Sequence, residues 1–161
     1  MAVAALTSPA RAETAQHCVA DIDTGAQACF ATFEEAIAEA EEETGRTLEQ
    51  QRRSLDGGPA SLLAARADVI IGTYFEHENY GGATFTLYGD GLCRGGDGTD
   101  FWFTFPPEWR NTISAAQPWA TCALWLHSGP DGTGDRDGPY RENTPYVGDH
   151  MNDRTVSTTL G

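Results

Sequence analysis

The stretch YFEHENYGG, Tyr74 to Gly82, breaks the plain alternation of a β-strand. Phe75 and Tyr80 stand five apart, and Gly82 follows two positions later. A strand that doubles back over itself explains the spacing. Phe75 points its ring toward the sheet, and Tyr80 covers it edge to face, an arrangement worth about 0.5–1.5 kcal/mol beyond area burial. The chain then turns sharply, and Gly82 takes a positive φ at no steric cost. Beyond it, ATFTLYG resumes period-two alternation with Phe85 and Leu87 on one side.

Fifty residues on, WLHSGPDG (Trp125 to Gly132) repeats part of this pattern. Trp125 stands for Phe75, Gly132 for Gly82 and Pro130 for the middle aromatic, with His127 in register with His77. Two units of about 45 residues, each with one folded hairpin, predict a duplicated Greek-key sandwich.

Outward from this repeat, the composition changes near residue 68. From Val69 to Gly161, aromatic and β-branched runs alternate with Gly-, Asp- and Pro-rich turns, the signal of an all-β domain. Residues 13–68 read as a small α+β segment that precedes it. Cys18 and Cys29 flank VADIDTGAQA, whose Asp-Thr-Gly centre suits a tight turn, so residues 13–31 read as a hairpin. Four cysteines allow three pairings, and the hairpin selects Cys18–Cys29, which leaves Cys93–Cys122. None sits in a C-x-x-C pair, as zinc or thioredoxin chemistry would require. From Thr32 a helix is expected: Thr32 and Glu35 form a capping box, Phe33, Ala36, Ile37 and Ala40 an apolar stripe, and Gly45 a stop. A second helical stretch, LEQQRRSL, follows Thr47, and residues 56–68 read as a linker.

The 161-residue chain carries a formal net charge of −14, made of +1 over residues 1–12, −8 over 13–68 and −7 over 69–161. That field repels phosphates and anionic lipid, so neither nucleic acid nor membrane is an expected partner, and a monomer is expected. No apolar run reaches bilayer length. Residues 1–12, MAVAALTSPARA, hold a short apolar run ending in the A-x-A pattern Ala10-Arg11-Ala12, which reads as the remnant of a secretory signal. Paired cysteines in a small chain agree with secretion.

The aromatic-x4-aromatic-x-Gly signature and its repeat resemble the βγ-crystallin Greek-key motif. The resemblance covers residues 69–161 and implies a mainly β, two-motif βγ-crystallin sandwich, with Phe75, Tyr80, Gly82, Trp125, Gly132 and Ser157 in structural roles. In that family each motif closes on Asn/Asp-Asn/Asp-x-x-Ser/Thr-Ser, which can supply calcium ligands. RNTISA (Arg110 to Ala115) and NDRTVS (Asn152 to Ser157) stand in those places. The resemblance implies one weak calcium site drawn from Asn111, Ser114, Asn152 and Asp153. Arg110 and Ala115 depart from the pattern in the first loop and Val156 in the second: an arginine opposes a cation, and valine offers no ligand oxygen. The chain also resembles secreted actinobacterial proteins with a Cys-stapled N-terminal segment, relatives of the βγ-crystallin-like metalloproteinase inhibitors. That implies a secreted protease as an alternative partner, engaged by residues 128–145 or the Cys93–Asp100 segment.

Catalysis is not expected. His17, His77, His127 and His150 fall in no H-E-x-x-H, G-x-S-x-G or Cys-His pattern. Carboxylates are too abundant for any pair to single out glycoside hydrolysis, so a small hydrolase ranks last. Asp131, Asp135 and Asp137 alternate with glycines but lack the glutamate that an EF-hand loop requires, and read as an exposed turn. Phe101, Trp102, Phe103 and Phe105 are too dense for one strand face. They are expected to leave an exposed patch or to form a second small core against residues 30–65.

Overall fold

The structure is a computed structural model and describes residues 16–45 and 69–161. The signal remnant 1–12, the helical stretch after Thr47 and the linker 56–68 lie outside the described residues. Strands β1 (His17–Asp21) and β2 (Gln27–Phe30) form the N-terminal hairpin, followed by helix α1 (Phe33–Thr44). Then come β3 (Val69–His77), β4 (Gly81–Gly89), β5 (Phe101–Thr104), β6 (Ala115–Pro118), β7 (Leu124–His127), β8 (Arg136–Tyr140) and β9 (Ser157–Leu160).

Two sheets pack face to face. The first runs β2-β1-β4-β3-β6 and the second β5-β9-β7-β8. Tyr74, Phe85, Phe105, Ile113, Leu124, Leu126 and Leu160 fill the space between them, all fully buried. Period-two alternation does hold in β5. Phe101 and Phe103 pack inward, joined by Phe105 just beyond, while Trp102 points out at 62 % exposure.

Each repeat hands its third segment to the other, a strand in the first repeat and a single bridge in the second. β5, from the first repeat, pairs with β9 of the second. In exchange, Thr144 of the second repeat bridges Ala116 on β6, with Ala116 N donating to Thr144 O (3.0 Å) and Thr144 N to Ala116 O (2.9 Å). This is the interleaved Greek-key pair of the βγ-crystallin fold, as the resemblance implies.

The N-terminal segment continues this architecture. β1 runs parallel to β4, from His17↔Thr84 to Asp21↔Tyr88, and antiparallel to β2 with Cys18 opposite Cys29. Both disulfides, Cys18–Cys29 and Cys93–Cys122, are formed. The helix starts at the Thr32/Glu35 capping box and stops at Gly45, whose φ is 64°. Its small apolar face, Ala36 and Ala40, lies on the outer face of the first sheet with Val19, Ile70 and Tyr88. A second core against the helix therefore exists, but not from the aromatic run expected to form it: Phe101, Phe103 and Phe105 belong to the sandwich core and Trp102 is exposed. Of the tryptophans, Trp119 alone is packed against it.

Candidate functional site

The folded hairpins set where the loops end. In the first, Phe75 and Tyr80 meet at 5.4 Å between ring centres, inclined by 69°. Asn79 and Tyr80 take positive φ (57° and 63°), as does Gly82 (74°). A Cβ on Gly82 would stand 2.8 Å from His77 Cδ2 and 2.9 Å from Glu76 Oε2. His77 is exposed, with Nε2 3.9 Å from Glu76 Oε2.

The second hairpin is displaced by 52 residues, from Phe75 to His127 and from Gly82 to Gly134. Asp131 and Gly132 carry the paired positive φ (52° and 73°), and Gly134 (77°) occupies the place of Gly82. The hydrogen bonds agree. Ala83 N donates to Glu76 Oε2 in the first hairpin, and Asp135 N to Ser128 Oγ in the second. Ser114 N donates to Phe75 O, and Val156 N to His127 O. Trp125 and Gly132 are therefore not the counterparts of Phe75 and Gly82. His127 replaces the first aromatic and Gly132 the covering one. The 50-residue match followed the bulkiest ring, whereas the fold follows the backbone that has to turn.

His127 is buried, 4 % exposed. Its Nε2 bonds Thr159 Oγ1 at 2.9 Å, and its Nδ1 has no partner among the described residues. Burial, then the nearby Arg136 guanidinium, holds its pKa below 6.5.

The closing loops 110–115 and 152–157 repeat at 42 residues, from Ser114 to Val156. They lock to each other reciprocally: Asn111 N donates to Thr155 O (2.8 Å) and Asp153 N to Ile113 O (3.2 Å). Asn111 and Asp153 both take positive φ (62° and 54°), which short polar side chains tolerate. Phe105 N donates to Val156 O and Val147 N to Ser114 O, so each loop also holds the other repeat's third segment. The pairing brings Asn111, Ser114, Asn152 and Asp153 into two adjoining loops.

Their side chains differ in use. Asn152 Nδ2 donates to Asp153 Oδ2 at 2.9 Å, while Asn152 Oδ1 is buried with no partner among the described residues. Arg110, at the place of Asn152 in the first loop, donates from Nε to Phe105 O at 2.8 Å. Ser157 donates to Gly129 O and accepts from Gly132 N, fastening the second hairpin; Ala115 has no hydroxyl to do this in the first. Among the described residues, no three His, Cys, Asp or Glu side chains gather as a metal cluster.

The acidic run 128–138 is tied down by its own backbone and by neighbouring segments. Asp131 accepts from Thr104 Oγ1, Asp135 pairs with Arg154 at 2.8 Å, and Asp137 accepts from Gly138 N. Burial, then Asp137, raises the pKa of Tyr140, whose hydroxyl donates to Val147 O. Between the two loops the ten residues by which the repeats differ fall in the Asp90–Asp100 connection. The Cys93–Cys122 disulfide and a bond from Arg94 N to Asp100 Oδ2 (2.7 Å) close that connection. Sequence reading missed the roles of His127 and Gly134 and this insertion; the aromatic-to-glycine distance could not find the first two, because Trp125–Gly132 and His127–Gly134 both match the seven residues of Phe75–Gly82.

No family model matches the chain, and no curated protein matches it. Among solved structures it is similar to a βγ-crystallin domain from Clostridium beijerinckii, at 21 % identity and TM-score 0.42, over 56 % of this chain and 95 % of that one. It is also similar to the N-terminal domain of protein S (19 %, TM-score 0.42, 56 % and 94 %). A βγ-crystallin domain from Flavobacterium johnsoniae matches at 14 % and TM-score 0.43, over 56 % and 93 %.

Proposed function

We infer that this chain is a secreted, non-catalytic βγ-crystallin-like module whose second loop binds calcium weakly. The observation that carries the reading is Asn152 Oδ1, a buried oxygen with no donor among the described residues, in a pair of loops whose backbone is otherwise reciprocally bonded. A buried acceptor left unpaired costs on the order of 1–3 kcal/mol, which a cation would relieve. Asn152, Asp153 and nearby backbone carbonyls would hold the ion. The first loop does not fit, because the Arg110 guanidinium, held on the Phe105 carbonyl, stands where the second loop has Asn152 and opposes a cation. With few carboxylates, the affinity belongs in the millimolar range of extracellular modules. Both disulfides suit an oxidising compartment, and no helix among the described residues is long and apolar enough to cross a membrane.

Thermal melts of the oxidised chain in EDTA and in about 10 mM calcium test this. A site filled tenfold above its dissociation constant adds about 1.4 kcal/mol, roughly 3–5 °C for a domain of this size. The shift should vanish in Asp153→Ala and in Asn152→Ala. An unchanged midpoint in the parent protein refutes calcium binding.

A second reading, inhibition of a secreted protease, is favoured by the segment 141–147. Arg141, Glu142, Asn143, Pro145 and Tyr146 are exposed along a backbone pinned by Thr144 to Ala116, Pro145 O to Asn79 N and Val147 N to Ser114 O. An inhibitor needs such a rigid, presented strand. The Cys93–Asp100 segment suits this less, because Gly95 and Gly96 take φ of 78° and 101°. Stoichiometric loss of activity of a secreted metalloprotease, weakened in Tyr146→Ala, would support inhibition.

A further inference from the structure

The second hairpin closes over a histidine, where the first closes a stacked pair of rings. Leu124 and Leu126 face the core, so His127 looks outward from β7 toward the hairpin. Its cover is thin: a Cβ on Gly132 would stand 3.2 Å from Thr159 Cγ2 and 4.0 Å from His127 Cε1. Polar bonds hold the hairpin down. Ser128 N donates to Asp135 O, Asp135 N to Ser128 Oγ, Gly132 N to Ser157 Oγ and Ser157 Oγ to Gly129 O. With no ring to match Tyr80, opening it uncovers little apolar side chain, which places it at the low-stability end of the fold.

The closed hairpin suits only the neutral ring. A neutral imidazole has one donor and one acceptor nitrogen, whereas the imidazolium has two donors. Nε2 reaches Thr159 Oγ1, but Nδ1 is buried with no partner among the described residues, so an N–H there finds no acceptor. The added charge finds no counterion either. Arg136 stands opposite His127 on β8 and repels it. On the hairpin, Asp131 accepts from Thr104 Oγ1 and Asp135 is paired with Arg154. Strands β5 and β9 carry no charged side chain.

We propose that His127 is an acid-sensitive latch: on taking up a proton it releases residues 128–135 from the outer face of the second sheet, and with them the fastening at Ser157. In the open hairpin the ring has its ordinary pKa of 6.5, while in the closed one burial, then Arg136, holds it lower. Opening therefore binds a proton. The open form gains up to about tenfold per pH unit as the pH falls below 6.5, until the closed pKa is reached. Phe75 cannot titrate, so the first hairpin stays shut over the same range. The latch does not depend on calcium.

The test is amide exchange of the oxidised full-length chain in EDTA, at about pH 7.5 and about pH 5.5, read as protection factors to remove the intrinsic pH dependence of exchange. Protection of the Ser128, Gly132 and Asp135 amides should fall about tenfold at the lower pH. That of Ser114, bonded to Phe75 O, and of Asn79, bonded to Pro145 O, should hold. His127→Gln, which cannot take up the proton, should abolish the difference. Arg136→Gln, a change at an exposed residue, removes the repulsion that disfavours the closed imidazolium and should shrink it. Protection that stays level at the lower pH, that falls equally in both hairpins, or that falls as far in Arg136→Gln as in the parent chain overturns the proposal.

Discussion

At Gly134 the backbone has almost no latitude. An added Cβ would stand 2.5 Å from Ser128 Oγ and 2.9 Å from Gly129 N, at a φ of 77°. Gly82 has the same φ problem, yet its two shortest contacts are the ends of the His77 and Glu76 side chains, which can swing away, and no backbone atom stands as close as Gly129 N does to Gly134. Gly134→Ala should therefore cost more than Gly82→Ala, at about 2–3 kcal/mol against about 1–2, read by denaturant titration. His127 gives a second residue-scale expectation. Its folded pKa lies below its unfolded value of 6.5, so the unfolded chain takes up the proton first. Its contribution is intact above pH 6.5, and stability falls as the pH drops from there toward the folded pKa. His127→Phe, which restores the ring found at Phe75, should flatten that part of the pH–stability curve. The Phe75–Tyr80 stack and the φ of Gly82 were legible because they are local. The second hairpin was not, because its ring is a histidine and its cover a glycine.

Among the elements, α1 and the stapled hairpin were readable from a capping box, a C-terminal glycine and two cysteines astride a turn. Their destination was not. Parallel pairing of β1 with β4 joins residues far apart in sequence, and no local pattern encodes such a partner. Ile70 and Tyr88, for example, face α1 from strands that also carry the sandwich core, so they read as ordinary strand residues. Replacing Cys18 and Cys29 by serine should remove about 3 kcal/mol of chain-entropy stabilisation. The loss should be local. Amide exchange should rise in β1, β2 and the facing edge of β4, while β7 and β9 remain protected. Equal acceleration in β7 and β9 would mean that the hairpin and the sandwich unfold together.

Across the molecule, the duplicated Greek key was legible from one aromatic-to-glycine spacing and its echo. The exchange of third segments was not, since it depends on how two sheets meet and not on any one segment. The candidate calcium residues were placed in adjoining loops as the motif implies. Which loop retains an open oxygen became visible only from the side chains: Arg110 against a carbonyl in one loop, Asn152 Oδ1 unpaired in the other.

The exchanged segments have a consequence for the chain cut in two. With β5 completing the second sheet and Thr144 bridged to the first, severing the peptide within Trp119–Cys122 leaves two pieces that each lack an edge. Neither half is a small domain in its own right. Once the Cys93–Cys122 link is also opened, the fragments should refold only on mixing, with a midpoint that climbs with concentration. The pair would then behave as a heterodimer encoded in one gene, able to report whether two fusion partners meet.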